Sequence, residues 1–266
     1  MTIFKFELRR NLKYILAWTL TLALCIFGMT PMYYGFISLA ETTPLFSTLG
    51  ESDFFKSVGV SMGYLASPLG IYAFLTSFFL LAAGIYGLHF GITIHTKEFT
   101  GKTAEYLLTK PHTRKEIFWA KAGVVMTGAV ITGLGYTAAS ALSLVLFRDG
   151  TPWGEFFLIS LSLLWLTLVM AALGLLLGVV FSNNRNPLLT AGLIVFVEYC
   201  ITSFSNVIVS RTVGYFSPFS FFSGVRIAQN GFYEPDHVAL YGAMLGLFLL
   251  AAYRHFLKKD IRFRAS

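Results

Sequence analysis

Residues 69–94, LGIYAFLTSFFLLAAGIYGLHFGITI, run for 26 positions without one Asp, Glu, Lys or Arg. The hydrocarbon core of a bilayer is about 30 Å thick and takes about 20 apolar residues of helix, so this stretch is long enough to cross it. Five further runs are apolar with at most one charged residue each: Tyr14–Ile37, Ile117–Phe147, Gly154–Phe181, Leu188–Val209 and Val238–Phe256. Lipid offers backbone amides no partners, and the runs lack the short alternation of barrel strands, so all six are helices. The expected fold is an all-α polytopic membrane protein of six transmembrane helices, one transmembrane domain over residues 1–266. With 56% hydrophobic and 12% charged residues and a mean hydropathy of +0.69, little chain is left for a separate soluble domain.

Charge orients the spans. Lys5, Arg9, Arg10 and Lys13 precede the first; Lys97, Lys102, Lys110, Arg114, Lys115 and Lys121 lie between the second and third; Arg185 follows the fourth, and five more basic residues close the chain. Only Lys56, Arg148, Arg211 and Arg226 fall on the other side, so the positive-inside rule puts both termini of a multi-pass cell-membrane protein in the cytoplasm. The net charge of +7 is thereby a topology signal, and nucleic acid is not an expected partner. Cys25 and Cys200 both fall inside spans, and the five His residues are scattered, so neither a disulfide framework nor a metal site is indicated. Before the first span, Phe4, Leu8, Leu12 and Ile15 recur on one helical face beside Lys5, Arg9 and Lys13, which predicts an amphipathic interfacial elbow over residues 1–13.

The loop that follows the opening stretch, His95–Lys121, reads HTKEFTGKTAEYLLTKPHTRKEIFWAK. Thr113-Arg114-Lys115-Glu116 has the form of a capping box just after Pro111, so a helix begins at Thr113 and runs into the third span. Carried to Phe147 it is roughly 52 Å long at 1.5 Å per residue, more than the hydrocarbon needs, and its first turns stand in the cytoplasm. Within the 95–116 loop, Thr103–Thr109 forms a two-turn helix halted by Pro111, with Tyr106, Leu107 and Leu108 as an apolar cluster. Such a cluster is covered either by a partner's groove or by the protein's own stalk. Thr96–Thr103, TKEFTGKT, ends like a phosphate-binding loop but lacks its first Gly and any preceding strand, so ATP is handled by another chain.

The positions Glu98, Gly101, Thr103, Glu105, Leu107, Leu108, Pro111, Arg114, Ile117 and Lys121 resemble the E-x-x-G-x-T-x-E-x-L-L-x-x-P-x-x-R-x-x-I-x-x-x-K pattern of permease subunits in ABC-2 type ATP-binding-cassette exporters. Length, span count and the place of the loop agree with that family. The resemblance implies that Thr103–Thr109 is a coupling helix seated in a cytoplasmic ABC ATPase subunit, with Glu98, Glu105 and Arg114 in polar contact around it. It also implies a second permease copy or paralogue, and ATP and Mg held by the ATPase, with no cofactor and no enzymatic site in this chain.

Glu198 stands near the middle of the fifth run, where an acidic side chain costs about 2.5–3.5 kcal/mol on insertion scales. It is a candidate for the substrate pathway; the alternative is a structural carboxyl bonded to a neighbouring Ser, Thr or Tyr. In the resembled family the fifth span lines the dimer axis. The pairs Gly87/Gly91, Gly174/Gly178 and Gly242/Gly246 allow close helix approach. Phe54, Phe55, Val58, Met62 and Leu65 suggest an external interfacial helix. Gly214–Phe232, rich in Phe and broken by Pro218, is either a re-entrant turn or an aromatic belt at the lipid boundary. The expected function is the membrane subunit of an ATP-driven exporter of hydrophobic or amphipathic cargo, a peptide toxin, antibiotic or lipid, embedded among membrane lipids. The alternatives are an ATP-independent secondary transporter or channel using Glu198 as an ion or proton site, and a membrane scaffold that transports nothing.

Overall fold

The computed structural model describes residues 2–42, 68–100, 112–147 and 152–258. Within them the chain forms α1 (Thr2–Thr42), α2 (Pro68–Thr100), α3 (Arg114–Phe147), α4 (Trp153–Val180), α5 (Pro187–Val207), the short α6 (Arg211–Gly214), a 3₁₀ turn at Pro218–Ser220, α7 (Gly224–Asn230) and α8 (Pro235–Lys258). Among the described residues there is no strand, and six helices are long and apolar enough to cross a membrane. The all-α polytopic fold is the one the hydropathy requires.

Glycine decides which helices touch most closely. Gly87 and Gly91 of α2 face Gly174 and Gly178 of α4. A Cβ placed on Gly87 would lie 2.6 Å from the Thr167 carbonyl oxygen, and one on Gly178 would lie 2.7 Å from that of Ile92. Only bare backbone fits this crossing. The third pair, Gly242/Gly246 on α8, has no neighbour within 4 Å. α1 packs along α3, where Thr19 Oγ1 and Thr132 Oγ1 are 3.0 Å apart. Some buried hydroxyls in the apolar interior pair with one another, as in Tyr72 with Ser160 (2.7 Å) and Thr76 with Tyr136 (3.2 Å).

The N-terminal residues, expected as an elbow over residues 1–13, are the first turns of a helix that continues to Thr42. α1 is one unbroken helix from Thr2, because Phe4, Leu8 and Ile15 pack against α2 and α3 while Leu12 faces outward. Phe4 sits over Gly123 of α3, 3.4 Å from where a Cβ would be.

The Phe-rich segment after α5 turns back into the bundle. α5 ends in a Schellman motif, with Ser210 N–H bonded to the Ser205 carbonyl at 3.1 Å. The left-handed position is taken by Val209 at φ 52°, where glycine is usual. The chain then descends beside the helix it has just left. Thr202 Oγ1 donates to Ser217 Oγ (2.8 Å), which donates to the Glu198 carbonyl (2.8 Å), nine residues or roughly 13 Å before the end of α5. Phe219, Phe221 and Phe222 are buried in the main core, with Phe219 against Gly84 and Val195. The segment thus doubles back alongside α5, with Phe219, Phe221 and Phe222 in the protein interior and Phe216 and Phe232 exposed. The external helix expected around Phe54–Leu65 lies outside the described residues.

Candidate functional site

The last turns of α2 lead into the 101–111 segment, and Lys97 and Glu98 there are neighbours on a helix, about 100° apart around its axis. One therefore faces α1 and the other α3. Lys97 Nζ lies 2.7 Å from Glu7 Oε2, and Lys121 Nζ lies 2.5 Å from Glu98 Oε1. Lys121 also donates to the Ile94 carbonyl at 2.9 Å, and Asn11 Nδ2 donates to the Glu7 carbonyl at 2.7 Å. The Lys121 side chain is fully buried and that of Glu7 is 3% exposed. Burying an ion costs several kcal/mol unless opposite charge and hydrogen bonds answer it, and here two ammonium groups meet two carboxylates. The clasp is neutral as a whole, and it joins three helices at the root of one loop.

On the other side of the 101–111 segment the predicted capping box is present in both directions. Glu116 N–H donates to Thr113 Oγ1 (3.3 Å) and Thr113 N–H to Glu116 Oε2 (3.2 Å). Arg114 Nη1 donates to the Leu257 carbonyl at 3.3 Å, tying the start of α3 to the end of α8. His95 stacks on Phe118 and Phe256, with ring centroids 6.0 and 5.3 Å away. Both roots of the loop are thereby fastened to the bundle.

Of the residues singled out in the loop motif, Glu98, Arg114, Ile117 and Lys121 are in place, and Glu98 is 8% exposed with its carboxylate on Lys121. Gly101, Thr103, Glu105, Tyr106, Leu107, Leu108 and Pro111 lie outside the described residues. Glu98 and Arg114, expected to meet a partner, both have polar contacts within the chain. Glu7 and Lys97 were not foreseen as site residues. The available signal was that Glu7 and Asn11 stand on the same stripe as Phe4, Leu8 and Ile15, a polar pair on a face that packs inward.

Glu198 continues the buried face of α5 formed by Ala191, Val195, Thr202 and Ser205. Its Oε2 is buried without a hydrogen-bond partner, and among the described residues it makes no ion pair. The opposite face of α5, with Leu189, Leu193, Phe196 and Phe204, is exposed.

At the end of the bundle opposite the clasp, the segment after α5 is latched to α8. Glu234 Oε2 lies 2.9 Å from Arg211, 3.5 Å from Arg226 and 2.6 Å from His237 Nδ1. Tyr215 OH donates to Asp236 at 2.8 Å. Burial pushes the Glu234 pKa up, but the Arg211 hydrogen bond and the charges of Arg226 and His237 outweigh it and hold the carboxyl below its ordinary range. Glu234, Asp236 and His237 bring ligand atoms within 4.8 Å of one another. Two guanidinium groups already supply the positive charge there, so the cluster closes as an ion-pair latch.

With this geometry in view, the family model described as ABC-2 family transporter protein matches residues 1–261 of the chain. No curated protein matches it.

Proposed function

The chain belongs to the ABC-2 family of transporter proteins, and from that membership we propose that it is the permease subunit of an ATP-driven exporter, moved by a separate ABC ATPase that holds ATP and Mg. The observation that carries the reading is the clasp of Glu7, Lys97, Glu98 and Lys121 at the root of the 101–111 segment. A loop that receives force must be rigidly continuous with what it moves. Displacement entering at 101–111 reaches α2 and α3 directly, α1 through Glu7–Lys97, and α8 through Arg114. The basic end of the bundle then faces the cytoplasm, and the exposed apolar face of α5 meets a second permease across the pathway. Cargo in this reading is hydrophobic or amphipathic, a peptide, antibiotic or lipid.

Leu107→Asp combined with Leu108→Asp tests the coupling assignment. Two carboxylates in an apolar docking helix abolish co-purification with the cognate ATPase while the protein still inserts in the membrane; undiminished co-purification rejects the assignment. A secondary transporter is the second reading, favoured by the unpartnered Glu198 oxygen. Vanadate-insensitive cargo movement in liposomes selects it.

A further inference from the structure

Between the C-terminal half of α5 and the Phe-rich segment that doubles back beside it runs a polar cleft that neither the family match nor the clasp explains. Its outer chamber, about 220 Å³, is lined by Ser205, Ser210, Arg211, Arg226 and Glu234, with Val209 at its rim. Its inner chamber, about 30 Å³, is lined by Ser77, Tyr199, Thr202 and Ser203, with Phe219 and Leu80 among its apolar walls. Asn206 and Ser223 line both chambers, so the two adjoin, the outer at the end opposite the clasp and the inner at the level of Tyr199 in α5.

The chemistry of the passage changes along its length. At the mouth the charges are engaged with one another, as Arg211 and Arg226 both lie on Glu234. Arg226 Nη2 also donates to the Ser220 carbonyl at 2.7 Å. Inside, the polar lining carries only hydroxyl and amide groups, with no formal charge. A cavity needs roughly 10–15 Å³ of this kind of volume for one water, and polar cavities of that size are wet whereas apolar ones stay dry. The inner chamber therefore has room for about two waters with donors and acceptors on several sides. Beneath it Phe219 rests against Gly84 and Val195, an apolar floor.

We propose that this cleft is a hydrated vestibule, open at the end of the bundle opposite the clasp, that admits water and uncharged hydrogen-bonding hydrophiles down to Tyr199 and stops at Phe219. The neutral lining excludes ions, because a bare charge moved past the mouth loses its solvation and gains only dipoles. Val209 is consistent with this role, since a β-branched residue kept at positive φ is strain of the sort found where a site needs its shape. The passage is a property of this chain alone and requires no ATPase, so it stands or falls apart from the exporter reading.

Hydroxyl-radical footprinting in lipid nanodiscs reads the water directly. Tyr199 is oxidised at least fivefold faster than Tyr72, the same side chain in the dry core at 7% exposure. Equal, slow oxidation of the two overturns the proposal. A second arm uses Asn206→Cys in a background of Cys25→Ala and Cys200→Ala, since both native thiols are exposed. A hydroxyl-bearing neutral methanethiosulfonate reacts at least tenfold faster than a trimethylammonium one, each normalised to Thr212→Cys on the surface. Equal normalised rates show that charge enters freely and reject the neutral-passage assignment, whereas no reaction with either reagent shows a closed cleft and rejects the vestibule. In sealed proteoliposomes of known orientation, reaction must come from the side opposite the clasp.

Discussion

Replacing Lys121 by Met removes the only ammonium that touches Glu98 among the described residues and leaves the methylene stem in place. The lysine is fully buried, its Nζ 2.5 Å from the Glu98 carboxylate and 2.9 Å from the Ile94 carbonyl, and Glu98 is itself 10% exposed in its side chain. Breaking a buried pair from one side typically costs about 3–5 kcal/mol, because the surviving charge stays desolvated and unanswered. At about 1.4 kcal/mol per factor of ten, the unfolding constant rises by roughly two to three and a half decades. Glu98→Leu combined with Lys121→Met removes both charges. Apolar replacement of a buried pair is often neutral or stabilising, so the double variant returns to within about 1 kcal/mol of wild type or above it. Denaturant titration in micelles, followed by tryptophan fluorescence, measures all three proteins; Trp119, two residues from Lys121 and 52% exposed, is a local reporter. A Lys121→Met protein within about 1 kcal/mol of wild type would mean that the pair is solvated, and a double variant as unstable as the single one would mean that desolvation is not the dominant cost. The double variant also separates stability from the proposed coupling role: on that proposal, normal folding with diminished cargo-stimulated ATP hydrolysis is the expected combination.

Three further substitutions probe backbone geometry. Gly91→Ala forces a methyl group into the backbone of α4, 2.7 Å from Leu175 N, and costs at least the 1–3 kcal/mol usual for overpacking. Gly242→Ala, where no atom lies within 4 Å, changes thermal stability of the isolated chain by less than about 1 kcal/mol, in the stabilising direction expected of helix propensity. Equal losses at the two positions would contradict the assigned α2–α4 crossing. Val209→Gly relieves the left-handed strain, about 1–2 kcal/mol, against roughly 0.5–1 kcal/mol of added backbone entropy in the unfolded chain. The net is a stabilisation of up to about 1.5 kcal/mol, read as a higher melting temperature; a lower one would show that the valine side chain contributes packing worth more than the strain.

The legible and illegible parts of this protein divide by the range of the physics involved. Hydropathy over some twenty residues is a property of a segment by itself, since water and lipid treat an apolar run alike whatever surrounds it, and the six spans follow from that. The capping box at Thr113 and Glu116 is equally local, closed within one turn by two hydrogen bonds. The close approach of Gly87/Gly91 was foreseeable as a capacity, yet Gly242/Gly246 carries the same spacing and is open. Small residues permit contact and do not choose a partner.

What only the tertiary structure decided is which faces meet. Glu7 and Lys97 are 90 positions apart, and Glu98 and Lys121 are separated by a loop whose path no local rule prescribes. In a chain where almost every helix face is apolar, many pairings bury similar areas, so the pattern of hydrophobic residues barely discriminates among them. The N-terminal stripe of Phe4, Leu8 and Ile15 suits a leaflet as well as a helix groove, and the Phe-rich segment after α5 suits a lipid boundary as well as a core. Phe4 meets Gly123 of α3 and Phe219 meets Gly84 of α2, contacts that no pattern local to either segment prescribes. Local sequence sets what each segment is able to do in lipid, and complementary shape and charge between distant segments select which of those possibilities is realised.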